Sequence, residues 1–350
     1  LFEKNRKLIL AVLFAAVAGF LVYRLSRSDF AWPLFFAAFR GVNWWWLFPS
    51  IALIYMSHLG RAMRWEVMLR PLRQGAKISG LFTATIIGFT AIVLLGRPGE
   101  FVRPYLISVR EKVTFSSQMA AWLLERIFDL LMILLLFGYA LVAVPADRLH
   151  LGTGLQWVFR TGGYFCAIIC TLCVVVLFGF RGFSGSVRER LSSALSFLPE
   201  RFRERTERLA ASFGEGARST ASTRFLILLL GHSAFIWVTL VAAYFCLFRS
   251  IEATSSFRLD QVMIFMGLVA FGSAFQIPGI GGGFQIAAIL VLREIFGLRL
   301  ETATGLAVIL WVAAFLPVVP IGLVLGFREG FNWRKIKMIQ GGLNRTGDRL

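Results

Sequence analysis

The chain has 350 residues, 57% of them hydrophobic and only 16% charged, and a formal net charge of +18. So few polar side chains cannot cover so much apolar surface, which excludes an ordinary soluble domain and points to a polytopic membrane protein. In a soluble chain the positive balance would suggest nucleic acid. Here the basic residues sit mostly in short loops, where positive-inside bias and anionic headgroups account for them, so no nucleic-acid partner is expected.

A basic EKNRK precedes a first span, Leu8 to Tyr23, which reads as a retained helix. An aromatic stretch with Pro33 follows and suits the membrane interface. The second span, Trp44 to Leu69, sets His58, Arg61 and Arg64 at three-residue spacing on one helix face. Arg64 and Glu66 lie toward its cytoplasmic end and are expected to snorkel; His58 and Arg61 lie deeper. An apolar stretch from Ile78 to Leu95 runs into GRPGEFVRPY. The next span, Ser117 to Val144, carries Glu125, Arg126 and Asp129. A nearly neutral loop leads to a span over Trp157 to Phe180.

Cys166, Cys170 and Cys173 share that span, and with Cys246 they show no zinc spacing. They read as packing residues, and no metal is expected. Residues 181–224 are polar, with Leu198, Phe202, Leu209 and Phe213 at roughly helical spacing. That suits an amphipathic helix on the membrane surface or, equally, a solvated charged helix. Spans follow at Phe225 to Phe248 and Gln261 to Phe275. A glycine break, FQIPGIGGGFQ, interrupts the apolar run before a last span, Thr302 to Phe327, and a basic tail over 331–350.

Loop charge sets the orientation. With both termini cytoplasmic, the basic segments at 70–77 and 110–112 fall on the same side, so the stretch about 78–108 must enter and return. The neutral loops near 249–258 and 299–301 fall outside, so about 260–297 must enter and return from the opposite face. Arg24 and Arg27 fall outside, against the rule. Each hairpin carries a Pro-Gly break, at Pro98–Gly99 and Pro278–Gly279, and each is followed by one full span. The fold expected is therefore all-α: a single transmembrane unit over 1–330, built as inverted repeats with two oppositely oriented re-entrant helical hairpins. Two unrelated kinked helices are the plainer alternative.

At the first break, Glu100 and Arg103 share a face of any helix starting at Pro98, close to Arg97. Free backbone N–H groups and arginine there would suit a phosphate. An interfacial charge cluster is the plainer reading. Glu125 and Asp129 lie too deep to be loop charges and should face the interior and pair, with Arg126 three residues from Asp129 or with Arg97 or Arg103. At the second break Gly281, Gly282 and Gly283 allow close approach, and Gln276 and Gln285 add uncharged polar groups. GIGGG lacks the lysine of a phosphate loop, so neither nucleotide nor other cofactor is expected.

RPGEFVRPYLI, ERIFDLL and IPGIGGGFQIAAIL, in this order and spacing, resemble the lysylphosphatidylglycerol synthase transmembrane (flippase-like) family across residues 5 to 330. The resemblance carries the P-G-E-x-x-R element to Pro98, Gly99, Glu100 and Arg103. It carries E-R-x-x-D to Glu125, Arg126 and Asp129, and the glycine-rich element to Pro278, Gly279, Gly281, Gly282 and Gly283. Where many members have Arg-Glu, this chain has Phe284–Gln285, which argues for a headgroup other than the lysyl lipid. Some members add a soluble aminoacyl-transferase domain; the short tail here implies the lipid-translocating part without the synthase.

The resemblance implies a bacterial or archaeal inner-membrane flippase, not an enzyme, moving a polar-headed, phosphate-bearing lipid. Arg97, Arg103 and Arg126 would contact the headgroup, and Glu100, Glu125 and Asp129 would position those arginines or contact a cationic part; His58, Arg61, Gln276 and Gln285 are further substrate-binding candidates. Neutralising Arg103 or Glu125 is expected to abolish translocation with folding intact. A membrane enzyme acting on a lipid-linked sugar or phosphate, and a non-transporting partner subunit, are the rivals. A homo-oligomer is left open.

Overall fold

The structure is a computed structural model that describes residues 30–143, 168–169, 171, 223–272, 276–277 and 281–329. The expected span at 8–23, that at 157–180 apart from residues 168, 169 and 171, the amphipathic segment up to residue 222, Pro278, Gly279 and the tail lie outside the described residues.

The described chain is almost wholly helical. A short α1 (Trp32–Ala37) leads to α2 (Trp44–Leu69), capped by Asn43, whose side chain accepts from the Trp45 N–H at 3.0 Å. Next come α3 (Ile78–Leu95), a 3-10 turn (Arg97–Phe101) and α4 (Val102–Glu111), then α5 (Phe115–Ala143). The second half repeats this order with α6 (Thr223–Arg249), α7 (Leu259–Gly272), α8 (Gly283–Leu290) extended by a π turn (Val291–Ile295), α9 (Leu300–Phe315) and α10 (Val318–Arg328). The strands among the described residues are β1 (Gln276–Ile277) and β2 (Gly281–Gly282), a two-residue antiparallel pair in which Gln276 faces Gly282. Three segments, Ile78–Leu95, Thr223–Arg249 and Leu300–Arg328, are long and apolar enough to cross a membrane.

The first break is a sharp reversal. Gly96 ends α3 at φ 70°, ψ −145°, a conformation that side chains resist. α4 then returns alongside α3. Gly80 faces Arg110, Gly88 faces Arg103, and Gly99 lies so close to Ala91 that a Cβ there would stand 2.3 Å from the Ala91 carbonyl oxygen. The helix expected to begin at Pro98 is instead a 3-10 turn followed by an α-helix.

The last span is not continuous, as expected from Thr302 to Phe327, but breaks at Leu316–Pro317. Pro317 and Pro320 both lack an N–H, so the helix cannot run unbroken through them. Two bonds from the first half hold the break: Tyr55 O–H donates to the Pro317 carbonyl at 2.7 Å, and Thr90 O–H to the Val318 carbonyl at 3.1 Å.

Packing between the halves is reciprocal. α2 runs against α6. α3 packs on α10, the last helix of the second half, and α7 packs on α5, the last helix of the first half. The larger apolar core lies in the second half around Phe248, Phe265 and Leu306, and a smaller one around Trp65, Leu124 and Phe128 in the first.

Candidate functional site

α2 and α5 face each other with charged stripes. Arg64 is fully buried and spends both terminal nitrogens: Nη1 donates to Asp129 Oδ1 at 2.9 Å and to Ser233 Oγ at 2.8 Å, and Nη2 to Glu125 Oε1 at 2.8 Å. Arg103, arriving from α4, grips Glu125 with both terminal nitrogens. Its guanidinium lies 4.2 Å from the Trp65 ring centroid, and Trp65 is fixed by its Nε1 donating to Gln118 Oε1 at 2.9 Å. Arg61 reaches both carboxylates through Nη1 alone, Glu125 at 3.5 Å and Asp129 at 3.1 Å. Glu125 is fully buried and thus holds three arginines from two other elements.

This corrects the expectation that Arg64 snorkels. Two carboxylates one helical turn apart on α5 require cations inside the protein, because an unpaired charge there is costly. His58, Arg61 and Arg64 at three-residue spacing are the signal that places those cations on one face of α2. Ser233 and Trp237 of α6 complete the network, Trp237 Nε1 standing 3.5 Å from Asp129 Oδ1; sequence reasoning missed both, since neither is unusual within an apolar helix.

Beside this network lies a cavity of about 480 Å³, enclosed by both hairpins and by α2, α5, α6, α9 and α10. Its lining includes the polar and charged residues His58, Arg61, Arg97, Glu100, Arg126 and Asp129. It also includes apolar side chains such as Leu240, Phe265, Val269, Phe284 and Phe315. The structure thus brings together six of the sequence-selected polar residues in one lining. Arg103 and Glu125 stand behind it. Arg97 is half-exposed and pairs with Glu100 rather than with the α5 carboxylates.

At the second break, Gln276, Gly281 and Gly282 form the tip of the β pair, Gly282 at φ 75°. Gly283 opens α8, which sets Phe284 into the cavity; Gln285 beside it is half-buried and outside the cavity wall. Pro98 and Gly99 sit in the 3-10 turn that presents Arg97 and Glu100.

Chemically, the lining offers guanidinium groups for an anion and apolar side chains for hydrocarbon. Its volume falls within the range of small-molecule sites, enough for a headgroup and the start of its chain.

Glycosyltransferase AglD of Haloferax volcanii is 35% identical over 102 residues, which are 29% of this chain and 16% of that protein. The chain therefore spans a small part of that relative's length. No solved structure matches the chain. The model for the lysylphosphatidylglycerol synthase TM region matches residues 8–322, nearly the whole chain, and the protein belongs to that family.

Proposed function

We propose that this protein is a lipid transporter, not an enzyme, which binds a polar-headed, phosphate-bearing lipid in the cavity and carries it across the cytoplasmic (inner) membrane of a bacterium or archaeon. The observation that carries this reading is the mixed lining of the cavity: charged side chains from α2, α5 and the first break, and apolar ones from α6, α7, α8 and α9. Arginine suits phosphate because its planar fork makes paired, charge-assisted hydrogen bonds.

The reciprocal packing of α3 on α10 and of α7 on α5 supports inverted repeats whose hairpins enter from opposite faces. The basic loops favour cytoplasmic termini.

Ala314 lines the cavity from α9. Ala314→Trp should fill it and lower lipid translocation in proteoliposomes at least about tenfold, by the size of the site it blocks. An unchanged rate with the bulky ring in place would remove the cavity from the transport route. The stretch shared with AglD favours one rival, a membrane enzyme acting on a lipid-linked sugar. That reading requires the lipid to change mass during the assay, whereas transport returns it unaltered.

A further inference from the structure

The arginines around the cavity divide into two kinds. Arg64 and Arg103 each engage both terminal nitrogens and stand behind the wall, where their two charges balance those of Glu125 and Asp129. Arg97 is matched by Glu100. Arg61 and Arg126 remain, and both line the cavity.

Both are under-used. Arg61 shares one nitrogen between two carboxylates that other arginines already hold, and its Nε has no hydrogen-bond partner among the described residues. Among the described residues Arg126 comes no nearer to a carboxylate oxygen than 4.0 Å, at Asp129 Oδ2, and its buried Nε is likewise unpartnered. His58, which also lines the cavity and is 6% exposed, keeps a buried Nδ1 without a partner among the described residues. With the imidazole neutral, this group of side chains carries two positive charges that no carboxylate among the described residues balances. Uncompensated charge at membrane depth is costly, so the site is completed by an anion of matching charge.

We infer that the lipid headgroup ends in a phosphate bearing about two negative charges, a phosphomonoester or diphosphate, and that Arg61 and Arg126 turn from Asp129 to hold it while Arg64 keeps Asp129 in place. A phosphodiester headgroup, with one charge, leaves one of the two arginines unmatched. His58 lies within the same lining to donate or accept a further hydrogen bond. The inference rests on the lipid-transport reading and narrows its substrate.

The test compares three probes on the detergent-purified full chain at pH 8, above the second phosphate pKa of about 6. The probes are phosphatidic acid, phosphatidylglycerol with the same acyl chains, and inorganic phosphate. Phosphatidic acid should bind about tenfold more tightly than phosphatidylglycerol, the weight of one charge-assisted contact. Arg126→Gln should erase that preference, weakening phosphatidic acid about tenfold and phosphatidylglycerol less than about threefold.

Arg126 takes little part in the buried network, so this variant should keep its thermal midpoint. Arg61→Gln should do the same to the preference where its midpoint holds. Equal binding of the two lipids, or equal loss of both in Arg126→Gln, overturns the charge assignment and leaves lipid transport standing. Binding of inorganic phosphate with neither lipid bound overturns both.

Discussion

Glu125→Gln should cost the protein about 3–5 kcal/mol of stability, the usual result of removing one partner of a buried ion pair. The variant leaves Arg103 and Arg64, both buried, without the carboxylate each grips. Its thermal midpoint in detergent should fall sharply, and its membrane yield with it. Arg103 is the natural second site, because both of its terminal nitrogens rest on Glu125.

Arg103→Met alone should cost less, since Glu125 keeps Arg64 and Arg61. Adding it to Glu125→Gln should restore part of the lost stability, a coupling readable in a double-mutant cycle. A Glu125→Gln midpoint equal to wild type would mean that the network carries no structural weight. The expectation from sequence was that neutralising Glu125 abolishes translocation and spares folding; complete burial behind the cavity makes it a support for the fold as well.

Gly99→Ala should be strongly damaging. The added carbon would meet Ala91 O, Ala91 C and Ile92 N at 2.3, 2.4 and 2.5 Å, all backbone atoms that no rotamer change can move. The two arms of the first hairpin would have to separate, displacing Arg97 and Glu100 at its tip and Arg103 beyond. The cost should reach or exceed the ~1–3 kcal/mol typical of overpacking. Gly138→Ala in α5 is the control, because nothing lies within 4 Å of the new carbon there. It should be neutral or stabilising by up to ~1 kcal/mol through helix propensity. Equal yields of the two variants would contradict the close approach of α3 and α4.

The sequence showed the first reversal clearly because its cause is local. Pro98 and Gly99 break a helix wherever they stand, and flanking arginines cannot face lipid. The burial of Glu125 and Asp129 was equally legible, since depth along a helix follows from counting residues.

The identity of their partners was not. Whether Glu125 meets Arg97, Arg103 or Arg64 depends on which helices pack together. That packing is set by contacts between distant segments, as where Gly88 lets α4 lie against α3. Arg64 was misread for a related reason: five residues from the end of α2, it is long enough to reach the interface, and only the carboxylates across from it explain why it turns inward.

The break at Leu316–Pro317 had a plain signal in two nearby prolines, masked by the uninterrupted hydropathy around them. The cavity itself has no sequence signature. Its apolar lining is made of ordinary core residues such as Leu240 and Phe284, and only their arrangement distinguishes them.

The most direct test of the central claim is to place a photoreactive phenylalanine analogue at Phe315, in the cavity wall, and separately at Leu135, which is 62% exposed on the outer face of α5. Each is irradiated in native membranes and its lipid adducts identified by mass spectrometry. The account predicts that position 315 captures one phosphate-bearing lipid far out of proportion to its abundance, whereas position 135 captures the bulk mixture. The same bulk mixture at both positions, or no lipid at 315, would contradict a lipid-binding cavity.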